Sequence, residues 1–323
     1  MKRVAIIGAT GAIGRTIGAT LSAAGRPYRA IGRSEASLNA EFGADPMAEV
    51  RTWNPDDPAS VRTALKDIGA IVYLVGVDYW RFQLHPVLMR ATLEGAVAEG
   101  VDRLLLIGTV YPYGIPQTVP VRPDHPRDPH TFKGKMRKEQ EDLLFAADAA
   151  GKIKGTILRL PDFYGPNVEK SLLSSAFQAA VTGGTAQLLG PIDTPHQFAY
   201  VPDVGPIVVR LLDEPRAYGR VWHFAGSGTT RQRELVKKIF AAVNRKPKML
   251  VANEWMLRLM GLFSPVMREL VEMHYLQTNP VILDDGDLRQ LLGDVKTTSY
   301  DDGVRQTLTA AQAAAATVSS PAP

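Results

Sequence analysis

Seven residues near the start of the chain, Gly8-Ala9-Thr10-Gly11-Ala12-Ile13-Gly14, have the types and spacing to hold a phosphate. Glycines permit a tight turn and close approach of backbone to ligand, and a helix starting inside that turn offers unpaired amide hydrogens to an anion. The chemistry suggested is binding of a dinucleotide through its pyrophosphate, with Gly8, Thr10, Gly11, Ala12, Ile13 and Gly14 as the cradle. Taken alone, the motif also fits a plain strand-to-helix turn. A second signal stands roughly 20 residues further on, where an acidic residue would hold the adenosine 2′-hydroxyl. Here the chain has Gly32 followed by Arg33. The missing carboxylate removes a repulsion and a guanidinium can grip a 2′-phosphate, so NADP is favoured over NAD. The competing reading leaves Arg33 solvated and gives the ribose to Glu35.

The surrounding residues predict the elements such a turn needs. Residues 4–7, 28–31, 71–75, 104–107 and 155–160 are short apolar runs and read as strands. Between them lie segments of helical period, with Ile13, Ile17 and Leu21 spaced by four and ended by Gly25, and a second around 133–150. This alternation implies an α/β protein with a parallel sheet covered by helices on both faces. Residues 111–129 contain six prolines and are expected to form an irregular loop. After Pro166 the pattern turns to helical segments at 172–182, 232–244, 254–260, 265–275 and 287–292, with the chain crossing back at 198–212. The expected division is a dinucleotide-binding domain of residues 1–166 plus about 198–225, and a smaller C-terminal substrate lobe of about 167–197 and 226–309. Residues 310–323, uncharged and Ala-rich, read as a frayed tail.

Composition narrows the function classes. The 323 residues carry 37 Lys and Arg against 33 Asp and Glu, a net +4 with no long basic block, too weak to argue for nucleic acid. No apolar run is long enough for a membrane span, and no secretory signal is read at the N-terminus. Zero cysteines exclude disulfides, thiol nucleophiles and Cys-ligated metals, and fit a reducing, cytoplasmic setting. The six histidines show no metal-ligand spacing, so no metal is expected. Gly226-Ser227-Gly228 does not fit a nucleophile elbow, and there is no P-loop.

Further motifs, in order and spacing, resemble the extended short-chain dehydrogenases/reductases, the group of NAD(P)-dependent sugar epimerases and dehydratases. They are the glycine turn, Asn54-Pro55-Asp56-Asp57, the stretch ending in Tyr113-Gly114, Arg159-Leu160-Pro161-Asp162-Phe163-Tyr164-Gly165-Pro166, Phe198-Ala199-Tyr200-Val201-Pro202-Asp203-Val204, and Leu291-Leu292-Gly293 before Tyr300-Asp301-Asp302-Gly303. The resemblance covers residues 3–308 and implies a Rossmann-type, doubly wound sheet with its site at the C-terminal strand edges. It also implies that Asn54 or Asp57 lies near the adenine, that Val75, Gly76 and Leu160 line the cofactor, and that a homodimer forms through helices near 85–99 and 133–150.

The group's chemistry uses a Ser/Thr hydroxyl and a Tyr-x-x-x-Lys pair one helical turn apart, whose cation stabilises phenolate. By this resemblance Thr109 takes the hydroxyl position. Lys135, with Glu139 four later, takes the lysine position and would also hold the cofactor ribose, which puts Thr131 at the tyrosine. With Lys133 as the lysine, Pro129 would stand there instead. An aliphatic hydroxyl is a poor proton donor, so Tyr111 is the replacement candidate, with His130, Tyr164 and substrate-assisted chemistry as weaker ones. Tyr111 equally fits a loop tyrosine packed on the prolines. His196 stands where relatives acting on nucleotide sugars carry an arginine, and Asp162 where they carry an asparagine. Asp162, Tyr164 and His196 are substrate-facing candidates, with Asp162 alternatively a cap residue before a turn, and a nucleotide sugar is disfavoured. The Met and aromatic residues of 254–263 fit either core and subunit contact or, if they line the cleft, an apolar substrate.

The expected function is an NADP-dependent oxidoreductase acting on a carbonyl or activated alkene of a non-nucleotide small molecule, apolar if residues 254–263 line the cleft, without nucleic-acid or membrane partners. Two alternatives stand beside it: a redox-inert NADP-binding sensor, and a sugar epimerase or dehydratase.

Overall fold

The computed structural model describes residues 2–319. The chain runs β1 (Arg3–Ile7), α1 (Ala12–Ala23), β2 (Tyr28–Gly32), α2 (Glu35–Phe42), β3 (Ala48–Thr52), α3 (Pro58–Leu65), β4 (Ile68–Tyr73), α4 (Leu84–Ala98), β5 (Arg103–Gly108), α5 (Phe132–Ala149) and β6 (Lys154–Arg159). There follow β7 (Asp162–Tyr164), α6 (Ser174–Thr182), β8 (Ala186–Leu189), β9 (Pro195–Tyr200), α7 (Val201–Asp213), β10 (Val221–His223), β11 (Thr229–Arg231) and α8 (Gln232–Ala241). The last elements are β12 (Met249–Ala252), α9 (Glu254–Gly261), α10 (Pro265–Met273), α11 (Tyr275–Thr278), α12 (Gly286–Leu292) and α13 (Tyr300–Ser319).

Seven parallel strands in the order β10-β6-β5-β4-β1-β2-β3 form the main sheet. The apolar runs are continuous because both faces are covered. Along β1, Val4 and Ile6 join a core with α1, α2 and α7, while Ala5 and Ile7 join a second core with α3, α4 and α5. Strand order reverses between β1 and β4, which opens a crevice beyond their C-terminal ends, the usual ligand position of an open α/β sheet. α1 is pinned against α7 by Gly205, where a Cβ would come within 2.5 Å of the Thr16 carbonyl oxygen. That contact fixes the axis along which the helix start points.

Smaller sheets, β11-β9-β7 and β12-β8, carry the C-terminal elements beside this edge. Asp203, at the start of α7, accepts from the Thr298 amide at 2.8 Å and its hydroxyl at 2.7 Å, tying the C-terminal segment to the sheet side. Three expectations change. The strand expected at 71–75 lies at Ile68–Tyr73, because beyond Tyr73 only the Leu74 amide still bonds across, to Ile7. Edge strand β3, half polar and partly exposed, was not among the expected runs. The tail expected from residue 310 instead continues α13 to Ser319, as the high helix propensity of alanine allows; residues 320–323 lie outside the described residues.

Candidate active site

β1 ends at Ile7, and the chain turns at Gly8 with φ +89°, a conformation L side chains rarely adopt. A Cβ there would also lie 3.0 Å from the Leu74 backbone, and one at Gly14 only 2.3 Å from the Ala9 carbonyl oxygen. The Gly8 amide donates to Ile31 at 3.0 Å, and Arg15 Nε donates to the Thr10 carbonyl at 3.0 Å, so the turn is fastened from both sides. Gly11 is the N-cap of α1 and has no side chain to cap it. The amides of Ala12 and Ile13 are thus left to an external acceptor, which fits a pyrophosphate.

At the end of β2, Arg33 is exposed and makes no hydrogen bond or ion pair among the described residues, whereas neighbouring Ser34 caps α2. At Gly32 a Cβ would press on Leu38 Cδ2 at 3.3 Å, so a carboxylate there would have to displace that side chain. Asn54 accepts from the Asp56 amide and Asp57 from the Ala59 amide, so both already serve a turn and a helix cap. Val75 and exposed Gly76 follow β4 at the crevice, and Leu160 is buried beneath it, its amide bonded to Gly108.

Thr109 follows β5. Its carbonyl accepts from Arg159, and its Oγ1 is buried with no hydrogen-bond partner among the described residues, a place that a ligand oxygen would complete. Tyr111 sits in the next 3-10 turn, its hydroxyl 3.0 Å from that of Tyr79. Burial, then the neighbouring Tyr79 and Asp162, push its pKa well above the ordinary tyrosine value. It is therefore a neutral hydrogen-bonding group and a poor acid. Gly134 lets the first turn of α5 close on this loop: a Cβ there would stand 2.8 Å from the Tyr111 carbonyl oxygen.

The structure does not bring Lys135 into the crevice. It lies on the exposed side of α5, while the buried face presents Lys133, Gly134, Arg137, Gln140 and Glu141. Residues two apart on a helix are about 200° apart, so only one of the two interleaved lysines can face inward. Thr131 is the N-cap of α5, accepting from the Gly134 amide at 3.1 Å. The pair that faces inward at the Tyr-x-x-x-Lys spacing is Lys133 and Arg137. Lys133 Nζ is fully buried, donates to Glu269 and Glu272 of α10, and stands 5.7 and 5.6 Å from the ring centroids of Tyr79 and Phe82. Arg137 donates to His85 Nδ1 and to the Ile107 carbonyl, both at 3.2 Å. Sequence reading missed this pair by searching for a lysine with a glutamate four later. Arg137 followed by Glu141 gives the same spacing.

Among the substrate-facing candidates, His196 Nε2 and Asp162 Oδ2 are 2.6 Å apart across β9 and β7. Tyr164 does not join them. It is 1% exposed, at the end of β7, packed among Phe177, Tyr200 and Tyr300. His130 is exposed, with its ring against Tyr275.

Two buried histidines make the fold acid-sensitive. His85 accepts from Arg137. His223 accepts from the Tyr113 hydroxyl and donates to the Asp284 carbonyl. Burial and then Arg137 lower the His85 pKa to about 2; burial and then Arg159 lower that of His223 to about 3. An unfolded histidine titrates at about 6.5, so below that pH only the unfolded chain gains these protons. Stability is complete above about pH 6.5 and falls toward acid by roughly 1.4 kcal/mol per pH unit for each histidine. Urea unfolding at several pH values checks this, and His223→Asn should roughly halve the slope.

A dinucleotide-binding α/β fold with its crevice at the β1–β4 reversal is what these elements define. The chain matches the family model described as the NAD dependent epimerase/dehydratase family over residues 4–224. It belongs to that family, one of NAD-dependent enzymes. A curated relative, dTDP-6-deoxy-L-talose 4-dehydrogenase (NAD(P)(+)) from Kitasatospora kifunensis, is 31% identical over 219 residues, 62% of this chain and 67% of the relative. Among solved structures, the Bordetella bronchiseptica enzyme WbmH in complex with NAD+ is similar at 21% identity and a TM-score of 0.77, covering 96% of this chain and 98% of that one. An epimerase from Methanothermobacter thermautotrophicus is similar at 13% identity and a TM-score of 0.83, covering 98% and 94%. At these identities the structures establish the fold.

Proposed function

We propose that this protein transfers hydride between NADP and a carbonyl or alcohol carbon of a small hydroxylated, sugar-like molecule. The observation that carries the reading is the inward-facing Lys133–Arg137 pair on α5, together with a buried Thr109 hydroxyl that has no hydrogen-bond partner among the described residues. The name of the curated relative supports a sugar-type substrate, and it favours the third of the sequence expectations over the apolar one. The apolar reading also loses its sequence argument, since Trp255, Leu259, Leu262 and Phe263 are exposed.

The amides at the start of α1 would hold the pyrophosphate and Arg33 the 2′-phosphate, and the bound dinucleotide supplies or accepts the hydride. Thr109 Oγ1 donates to the substrate oxygen and stabilises charge developing there. Lys133 stands at the position of the phenol and would be the proton donor there, since an ammonium can give up a proton where a threonine hydroxyl is far too weak an acid. In reduction Lys133 would give its proton to the carbonyl oxygen, which with the hydride added at carbon makes the alcohol. Glu269 and Glu272 hold the ammonium in place. Asp162, with one oxygen on His196, and the Tyr79–Tyr111 pair supply polar contacts for substrate hydroxyls.

Turnover of NADPH is measured against dTDP-linked 4-keto-6-deoxy sugars, free keto sugars and lipophilic ketones. Lys133→Arg keeps a cation for both carboxylates but is a much weaker acid, so kcat should fall roughly 100-fold with dinucleotide affinity little changed. Lys135→Gln should change neither. An unchanged kcat in Lys133→Arg would leave the lysine a purely pairing role. Arg33→Ser should weaken NADPH by about 10- to 100-fold, the loss of one charge-assisted contact, and leave NADH nearly as it was.

A second reading, a redox-inert dinucleotide-binding protein, is favoured by the double carboxylate hold on Lys133. Tight NADPH binding with no turnover of any substrate class would select it. The dimer proposed through α4 and α5, which pack side by side and leave Val87 and Val97 exposed, is checked by analytical ultracentrifugation.

A further inference from the structure

We propose that the segment from Arg245 through α9 to the start of α10 docks the protein on the surface of an anionic lipid bilayer. Trp255 and Leu259 are 69% and 48% exposed, and Leu262 and Phe263, just past the helix, are 70% and 87% exposed. Trp255 and Leu259 stand one turn apart on α9 and Leu262 and Phe263 follow at its end, while Leu257, 1% exposed, anchors the other side of α9 in the lobe. Leu250, 53% exposed on β12, precedes them. Large apolar side chains grouped in this way mark a surface that meets a partner.

Charge decides which partner. Residues 245–268 hold Arg245, Lys246, Lys248, Arg258 and Arg268 against the single acid Glu254, a surplus of +4 that equals the formal surplus of the entire chain. Lys246 and Lys248 are exposed and make no ion pair among the described residues. Exposed Trp, Leu and Phe preceded in the chain by exposed Lys246 and Lys248 make up the composition that lies in the interface of an anionic bilayer. A second copy meeting this face through a two-fold axis would set +4 against +4, which disfavours self-association. No helix among the described residues is long and apolar enough to cross a membrane, so the contact is peripheral.

The test is flotation of the full-length protein with phosphatidylcholine vesicles, with and without phosphatidylglycerol. Binding to the anionic vesicles alone is expected, lost at high salt and reduced at least about tenfold in the Trp255→Ser/Phe263→Ser double variant. Circular dichroism and dinucleotide affinity of that variant, whose substitutions lie outside the dinucleotide crevice, should match the parent. Absence of flotation with anionic vesicles, or undiminished flotation of the double variant, overturns the proposal. A lipid-free dimer that the double variant abolishes also overturns it, by giving the face to a second copy.

Discussion

Gly11→Ser is expected to abolish dinucleotide binding in a protein that folds as well as the parent. Gly11 caps α1 with no side chain, and a Cβ there would stand 3.5 Å from the Gly8 carbonyl oxygen, an ordinary contact. Serine therefore fits, and its hydroxyl can accept from the amide of Ile13 or Gly14, supplying the missing cap. Thermal stability should hold or rise by about a few tenths of a kcal/mol. The same hydroxyl then occupies amides that a pyrophosphate needs, and its bulk stands where the ligand must approach. Affinity should drop about 100-fold or more, roughly 3 kcal/mol, by calorimetry with NADPH. Gly8→Ala is the contrast, because φ +89° and the Leu74 backbone oppose any side chain, so stability and binding fall together. If Gly11→Ser binds normally, the cradle is elsewhere.

The second large effect lies beneath the site. Glu141 is 1% exposed and faces Arg159, itself fully buried, with Nη2 donating to one carboxylate oxygen at 2.9 Å and Nη1 2.9 Å from the other; Arg127 reaches it at 3.1 Å. Burial alone would lower the Arg159 pKa, but Glu141 and then Tyr113 outweigh it and raise the value. Glu141→Gln keeps the shape and removes the charge, leaving a guanidinium uncompensated in the interior. Such a loss costs about 3–5 kcal/mol. Urea denaturation should show it, and because Arg159 also holds the Thr109 carbonyl, any residual folded enzyme should turn over slowly. A loss below about 1 kcal/mol would mean that water or another acid compensates Arg159.

The sheet and glycine turn were legible because their signals are local. A run buried on both faces reads as continuous apolar sequence, and a turn that admits no Cβ reads as glycine. Edge strand β3 was not, since Ala48–Thr52 is covered on one side only and carries charge. The reading of α5 failed for a similar reason. Lys133, Lys135 and Arg137 alternate at two-residue spacing, glutamates follow both Lys135 and Arg137 four later, and only packing decides which side is inward. Tyr164 was placed by its motif, but a motif states spacing and is silent on depth. The carboxylates clamping Lys133 come from more than 130 residues away and leave no local trace.

The order of strands also sets a schedule for synthesis. β10, residues 221–223, pairs with β6 and is made only after α7. Until some 60 further residues have left the ribosome, the outer edge of β6 remains an open template of amides and carbonyls. A nascent chain stalled between residues 160 and 220 would hold a nearly finished nucleotide cradle beside an unpaired strand edge, the kind of margin that chaperones shield.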